Sequence, residues 1–291
     1  VVRNPLAISV AMGFVISISI YINWFTFLLF YSILYIIYKT RRIILNVNID
    51  SFKNLLLKGT LNYSSSNIGF TVDKERIRVG MRGDNYVVIL KMNNDLIPDV
   101  KGEASFYFDE PSNQIRTHLD LLSDCENVEI GIKDNHIILN ADGQKSVIHF
   151  CSPNLVPTFS GSGPKTDGVH VYDVKISHEW MYNLDKIQKI ASKFKKIYFV
   201  VKNGKIYIEA TDKTNSYSNG LTFELGSTDL SDTIMCFDFK PFSNAFKVLG
   251  DRYEEFTMSV NYIEKLNAGI ISFINEDGSE KYFILSKDDI D

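Results

Sequence analysis

Residues 137–150, IILNADGQKSVIHF, and residues 272–285, SFINEDGSEKYFIL, are one pattern written twice. Each has an apolar run, an Asn-x-Asp-Gly frame (Asn140, Asp142, Gly143; Asn275, Asp277, Gly278) and a second strand-like run. Asp-Gly tolerates the positive φ that tight turns need, so each segment reads as an antiparallel hairpin. A pattern that recurs at such a distance marks an internal repeat. A second pair supports it: FYFDEPSNQI (106–115) and CFDFKPFSNAF (236–246) align Pro111 with Pro241, each after a strand and ahead of a helix.

Working outward, the chain beyond Arg42 is a series of short β-branched and aromatic runs separated by turn residues, as in IGFTVDKERIRVGM (68–81), YVVILKM (86–92) and IYFVVKNGKIYIEAT (197–211). Four stretches read as helices, two in each half: 51–63, 112–123, 178–196 and 242–249. Between the halves, SPNLVPTFSGSGPKTDG (152–168) is rich in Ser, Gly and Pro and reads as a connector. The expected organisation is an N-terminal segment 1–41, a first domain 42–152, a connector 153–171 and a second domain 172–291.

The apolar content is unevenly placed. From Leu6 to Tyr38 there is no charged residue, and Lys39, Arg41 and Arg42 follow directly. Such a run is long enough to span a bilayer, with the basic cluster on the cytosolic side, or it is a segment foreign to the folded unit. The first 43 residues hold four basic and no acidic side chains, so the remainder carries 27 basic against 35 acidic residues. An acidic body argues against coating nucleic acid with the whole surface but permits a local basic strip. Cys125, Cys151 and Cys236 lie far apart, without the spacing of a zinc site or a disulfide scaffold, which points to a reducing, cytoplasmic compartment.

The third helical stretch carries two stripes. Trp180, Leu184, Ile187, Ala191 and Phe194 recur at spacings of three and four and form an apolar face. Lys186, Lys189, Lys193 and Lys196 form an adjacent cationic one. A solvated lysine face is the ordinary reading; a phosphate-facing strip is the functional one. Enzyme signatures fail. His178-Glu179 begins an HExxH-like string whose second histidine is Tyr182, and GSGPKT (161–166) lacks the spacing of a phosphate loop. No cofactor or metal is implied.

The repeat, together with RRIILNVNIDSFKNLLLKGT (41–60), RIRVGMRGDNYVVIL (76–90) and the terminal EKYFILSKDDID (280–291), resembles the DNA polymerase sliding clamps of T-even-type bacteriophages and, more distantly, proliferating cell nuclear antigen. Ser286 stands where the eukaryotic family usually has proline. The resemblance implies an α+β chain of two clamp-type domains, each with antiparallel sheets outside and two helices lining an inner channel, preceded by the hydrophobic, helical N-terminal segment. It implies a non-enzymatic processivity factor that encircles double-stranded DNA as a head-to-tail homotrimer and tethers DNA polymerase, with a clamp loader as a further partner. The DNA-facing residues would be Lys53, Lys58, Arg116, Lys186, Lys189, Lys193, Lys196 and Lys247. A client-peptide pocket would use Met81, Tyr86, Leu155, Val156, Phe159, Phe283 and Leu285. The alternative is a membrane-tethered, β-rich binding protein, anchored through residues 6–38, that uses a clamp-like fold outside replication.

Overall fold

The computed structural model describes residues 43–46, 49–97, 100, 102–122, 124–125, 128–133, 135–164, 168–213 and 220–286. The N-terminal apolar run and the acidic tail after Ser286 lie outside these residues, and among the described residues no helix is long and apolar enough to cross a membrane. The described residues from Ile44 onward form one compact unit.

Ten elements of the first half are matched in order by ten of the second. The first half runs β1 (Ile43–Asn46), α1 (Ile49–Gly59), β2 (Asn67–Val72), β3 (Arg76–Arg82), β4 (Tyr86–Asn93), β5 (Ala104–Asp109), α2 (Arg116–Leu121), β6 (Glu129–Lys133), β7 (His136–Ala141) and β8 (Gln144–His149). The second runs β9 (Val169–Lys175), α3 (His178–Phe194), β10 (Lys196–Lys202), β11 (Lys205–Ala210), β12 (Leu221–Ser227), β13 (Thr233–Asp238), α4 (Phe239–Leu249), β14 (Phe256–Ile263), β15 (Ala268–Asn275) and β16 (Glu280–Leu285). The sheet orders repeat as well. β1-β6-β7-β8 corresponds to β9-β14-β15-β16, and β5-β2-β3-β4 to β13-β10-β11-β12. One antiparallel pairing, β4 with β16 from Leu90↔Glu280 to Tyr86↔Ile284, fuses two of these four-stranded sets into an eight-stranded sheet.

The helices pack apolar faces onto these sheets. In α3, Leu184, Ile187 and Ala191 are buried, the Ser177 hydroxyl accepts from the Trp180 N–H, and Lys193 in the last turn complements the helix dipole. In α4, Phe242 and Phe246 meet Phe199 and Phe273, while Trp180 stacks on Phe246 at 5.6 Å. The first half has its own cluster of Phe52, Phe70, Phe106, Phe108 and Phe150. Each fully buried ring or Leu contributes about 1.5–3 kcal/mol.

Several sequence expectations are corrected. The first helix ends at Gly59, because Leu61, Asn62 and Tyr63 all have left-handed backbone, φ 51°, 54° and 57°. Left-handed geometry costs a non-glycine residue roughly 1–2 kcal/mol. Here it is held by Thr60, whose Oγ1 accepts from the Tyr63 N–H and donates to the Leu56 carbonyl, and by the Asn62 N–H donating to Leu57 O at 2.7 Å. The second helix begins as a π turn at Pro111–Ile115 before α2. The fourth starts earlier, at Phe239, with Pro241 in its first turn, where no intrahelical N–H is required. The third stops at Phe194: Lys195 is left-handed, and Lys196 is the first residue of β10.

The connector is also more ordered than a linker. β2 and β3 pair only from Phe70↔Val79 to Val72↔Ile77 and then splay apart. Residues 157–159 fill the gap: Arg82 N–H donates to Pro157 O, and Phe159 N–H donates to Gly80 O at 2.9 Å. A Cβ on Gly80 would lie 2.0 Å from Phe159 O, so this approach requires glycine.

Candidate nucleic-acid interface

Lys186, Lys189 and Lys193 are exposed on α3, on the side away from buried Leu184, Ile187 and Ala191. Lys186 Nζ sits 4.1 Å from the centroid of the exposed Tyr182 ring. Lys247 is exposed on α4, one turn or more beyond exposed Lys240. On the first-half helices, Lys53 and Arg116 share one carboxylate, Asp120, at 2.8 and 3.4 Å, and the Arg116 guanidinium lies 5.0 Å over the Tyr63 ring. The hydrogen bond from Lys53 is the main cause of the lowered Asp120 pKa. Counting unburied charged residues, the four helices carry Lys53, Arg116, Lys186, Lys189, Lys193, Lys240 and Lys247 against Asp50, Asp120, Glu179 and Asp185. The helical surface is therefore basic on a body that is acidic overall.

Two of the expected DNA-facing lysines are placed elsewhere. Lys196, in β10, is half-buried and paired in register with Asp238 rather than continuing the α3 stripe. Lys58 is 6% exposed and ion-paired with Glu280 at 2.7 Å. Arg252 donates to both Glu280 oxygens, at 2.8 and 3.0 Å, and the Tyr282 hydroxyl donates to Oε2. Burial acts to raise the Glu280 pKa, but Lys58 and Arg252 outweigh it and hold the carboxyl below its usual value. Lys58 thus joins α1 to β16 in the interior and is unavailable to a ligand.

The expected peptide pocket divides into four places. Phe159, Phe283 and Leu285 come together with Val87, Ile89, Ile263, Ile270 and Ile274 in a small apolar cluster separate from the main core. Gly163, with φ 143°, lies over the Phe283 ring, where a Cβ would approach to 2.7 Å. Met81 and Val156 belong to the main core instead. Tyr86 is buried beside a different groove, its hydroxyl pushed up to about 12 by burial. Leu155 is 61% exposed in the turn Pro153–Leu155, held by its backbone: its N–H donates to Ser152 O and its carbonyl accepts from Asn67 Nδ2.

With this geometry in hand, solved structures provide the comparison. The H. pylori beta clamp in complex with 5-chloroisatin superposes with a TM-score of 0.59 at 13% identity, over 85% of this chain and 66% of that one. DNA polymerase III subunit beta from Borrelia burgdorferi gives 0.60 at 14%, over 84% and 62%. PCNA from Thermococcus kodakaraensis gives 0.55 at 15%, over 84% and 99%. This chain has the sliding-clamp fold. It spans less than two thirds of the length of the bacterial beta subunits but matches nearly all of the PCNA chain. No protein-family model and no curated protein matches the sequence.

Within the sliding-clamp fold, Ser286 replaces the proline expected from the resemblance. Its N–H donates to Gly269 O at 2.9 Å and its Oγ accepts from the Gly269 N–H at 2.7 Å, two bonds that proline lacks the groups to make. Sequence reasoning missed Arg82, Lys195 and Lys240, which the fold brings to one groove with Lys247. None of the three belongs to a periodic stripe, so no linear signal marks them. Among the described residues no cluster of three His, Cys, Asp or Glu could hold a metal ion.

Proposed function

We propose that the chain is a sliding clamp, a DNA polymerase processivity factor that closes head to tail into a ring around duplex DNA. The observation that carries this reading is the pairing of β4 with β16 inside the chain. β8 occupies the end of its four-stranded set as β16 does, and β12 occupies the end of its set as β4 does. Pairing β8 of one copy with β12 of the next repeats the internal junction and gives two open edges partners, which relieves the liability of exposed strand edges. Three copies of a two-domain chain supply the six domains of a closed clamp.

In such a ring the basic helical surface faces the duplex. Lys186, Lys189 and Lys193 on α3, with Lys247, Lys53 and Arg116, make the contacts. Flexible ammonium groups follow a phosphate backbone without reading bases, which suits sliding. The tether is topological and non-covalent, and the protein performs no chemical step of its own. Clients, DNA polymerase and a clamp loader among them, dock on the apolar cluster of Phe159, Phe283 and Leu285.

Light scattering after size exclusion, combined with primer extension on a long template by a cognate polymerase, tests the proposal. The expected result is a concentration-dependent trimer that lengthens products. A strict monomer at tens of micromolar that leaves product length unchanged overturns it.

A further inference from the structure

A groove of about 1090 Å3 opens between the loop after α1, the β3–β4 turn and the facing ends of α3 and α4. Its lining includes four exposed cations, Arg82, Lys195, Lys240 and Lys247, against two acids, Asp84 and Asp238. Four against two leaves the groove net cationic, and Asp238 Oδ2 is held on its wall by Asn85 Nδ2 at 2.6 Å.

The floor is polar as well. Of the eight buried polar or charged residues among those described, Asn85, Ser243 and Asn244 line this groove. Asn244 is held at both ends of its amide: it accepts from Asn62 Nδ2 at 3.0 Å and donates to Ser64 Oγ at 2.7 Å. Asn62 lies in the left-handed turn Leu61, Asn62, Tyr63, so a strained segment is fastened to α4 at the groove. Strain of this kind persists where the surroundings over-determine it and is concentrated at ligand sites.

We propose that this groove binds a nucleotide, its phosphates held by the rim cations and the hydroxyls of Ser64 and Ser65, and its base resting against the wall of Tyr86, Phe239 and Pro241. Cations beside aromatic and proline surfaces are the combination that takes a phosphate together with a planar base. An acidic peptide fits less well, because the Arg82 and Gly83 N–H groups on the wall already donate to Pro157 and Tyr86 and offer no ladder to join. The volume is in the range of a site for one small ligand. The binding does not depend on ring assembly, so its failure and the failure of the clamp reading are separate outcomes.

The test is isothermal titration of the full chain with ATP, inorganic tripolyphosphate and a short oligothymidylate, with melting temperature read in parallel. Saturable ATP binding is expected, reduced by about tenfold or more in Lys195→Glu/Lys240→Glu and unchanged in Lys202→Glu, which lies on β10 away from the groove. Tighter binding of ATP than of oligothymidylate supports a free nucleotide as the ligand, whereas tighter binding of oligothymidylate marks a nucleic-acid strand and overturns it. Absence of saturable binding by every probe, tripolyphosphate binding as tightly as ATP, or an equal loss in Lys202→Glu overturns it.

Discussion

Lys58 and Glu280, 222 positions apart in sequence, meet at 2.7 Å inside the protein and tie the end of α1 in the first half to the start of β16 in the second. Both are almost fully buried, and Arg252 completes the pairing from the turn Gly250–Glu255. Removing one member of a buried pair leaves the other charged and poorly solvated, at a cost of about 3–5 kcal/mol when no second partner remains. Because Arg252 stays on Glu280, Lys58→Met is expected to lose roughly 2–3 kcal/mol, below that range. Urea denaturation measures it, and a midpoint indistinguishable from the unchanged protein contradicts the assignment.

The same carboxylate sets an acid response. Its pKa is lower folded than unfolded, so the stabilisation is present above the unfolded value and is lost as pH falls through the folded one. Thermal melting between neutral pH and about pH 3 should therefore show a steep acid limb that Glu280→Gln flattens, near and below the ordinary Glu range of roughly 4.3. The variant will be less stable at neutral pH; the shape of the curve is the readout.

Charge reversal on α3 separates duplex contact from folding. Lys186, Lys189 and Lys193 are exposed, so changing all three to Glu should cost at most about 0.5 kcal/mol each in stability. Non-specific DNA binding should lose salt dependence by roughly one unit of logarithmic slope per phosphate contact removed, and products of primer extension should shorten. An unaltered slope in a folded triple variant would place these lysines away from DNA.

The connector and the last strand give a paired test of client docking. Phe159 packs in the apolar cluster with Phe283 and Leu285, whereas Leu155 projects from its turn. Phe159→Ala should weaken a client peptide by about 2 kcal/mol or more if it is an anchor, and Leu155→Ala should stay within about 0.5 kcal/mol. Fluorescence polarisation with a polymerase-derived peptide distinguishes them, and equal losses would refute the division.

Assembly should be weaker between copies than within the chain. By the repeat, β8 carries Lys145 where β16 carries Glu280, so a β8–β12 junction has no counterpart of the buried ion network. Val147→Asp on β8 should raise the dissociation constant by about tenfold or more with the circular dichroism spectrum intact. Sedimentation velocity over a dilution series reads it out, and an unchanged constant excludes β8 from the contact.

The duplication was legible because Asn-x-Asp-Gly frames stand in local sequence, and so was the buried stripe of α3, which follows helical periodicity. Even the frames hide a difference. Asp142 and Gly143, both at positive φ, close a two-residue turn between Ala141 and Gln144, while in the second copy the strands stop at Ile274↔Lys281 and Asp277 instead caps Ser279. Lys58 could not be read as buried, since its partner is 222 positions away and an exposed lysine has the same spelling. The pairing of Pro157, Thr158 and Phe159 with β3 was illegible for a related reason. Three residues of pairing with β3 are too short to show a period, and composition alone gives them to a loop.

The stitching of residues 157–159 into β3 limits how the chain can be divided. A first half cut at residue 152 would keep β3 but lose the segment that fills the splay between β2 and β3, leaving Gly80 and Arg82 with unmet backbone bonds and the seat of Val156 empty. Circular permutants opened there should misfold or aggregate. A break between Gly161 and Gly168, beyond those bonds and ahead of β9, is where the chain should tolerate new termini.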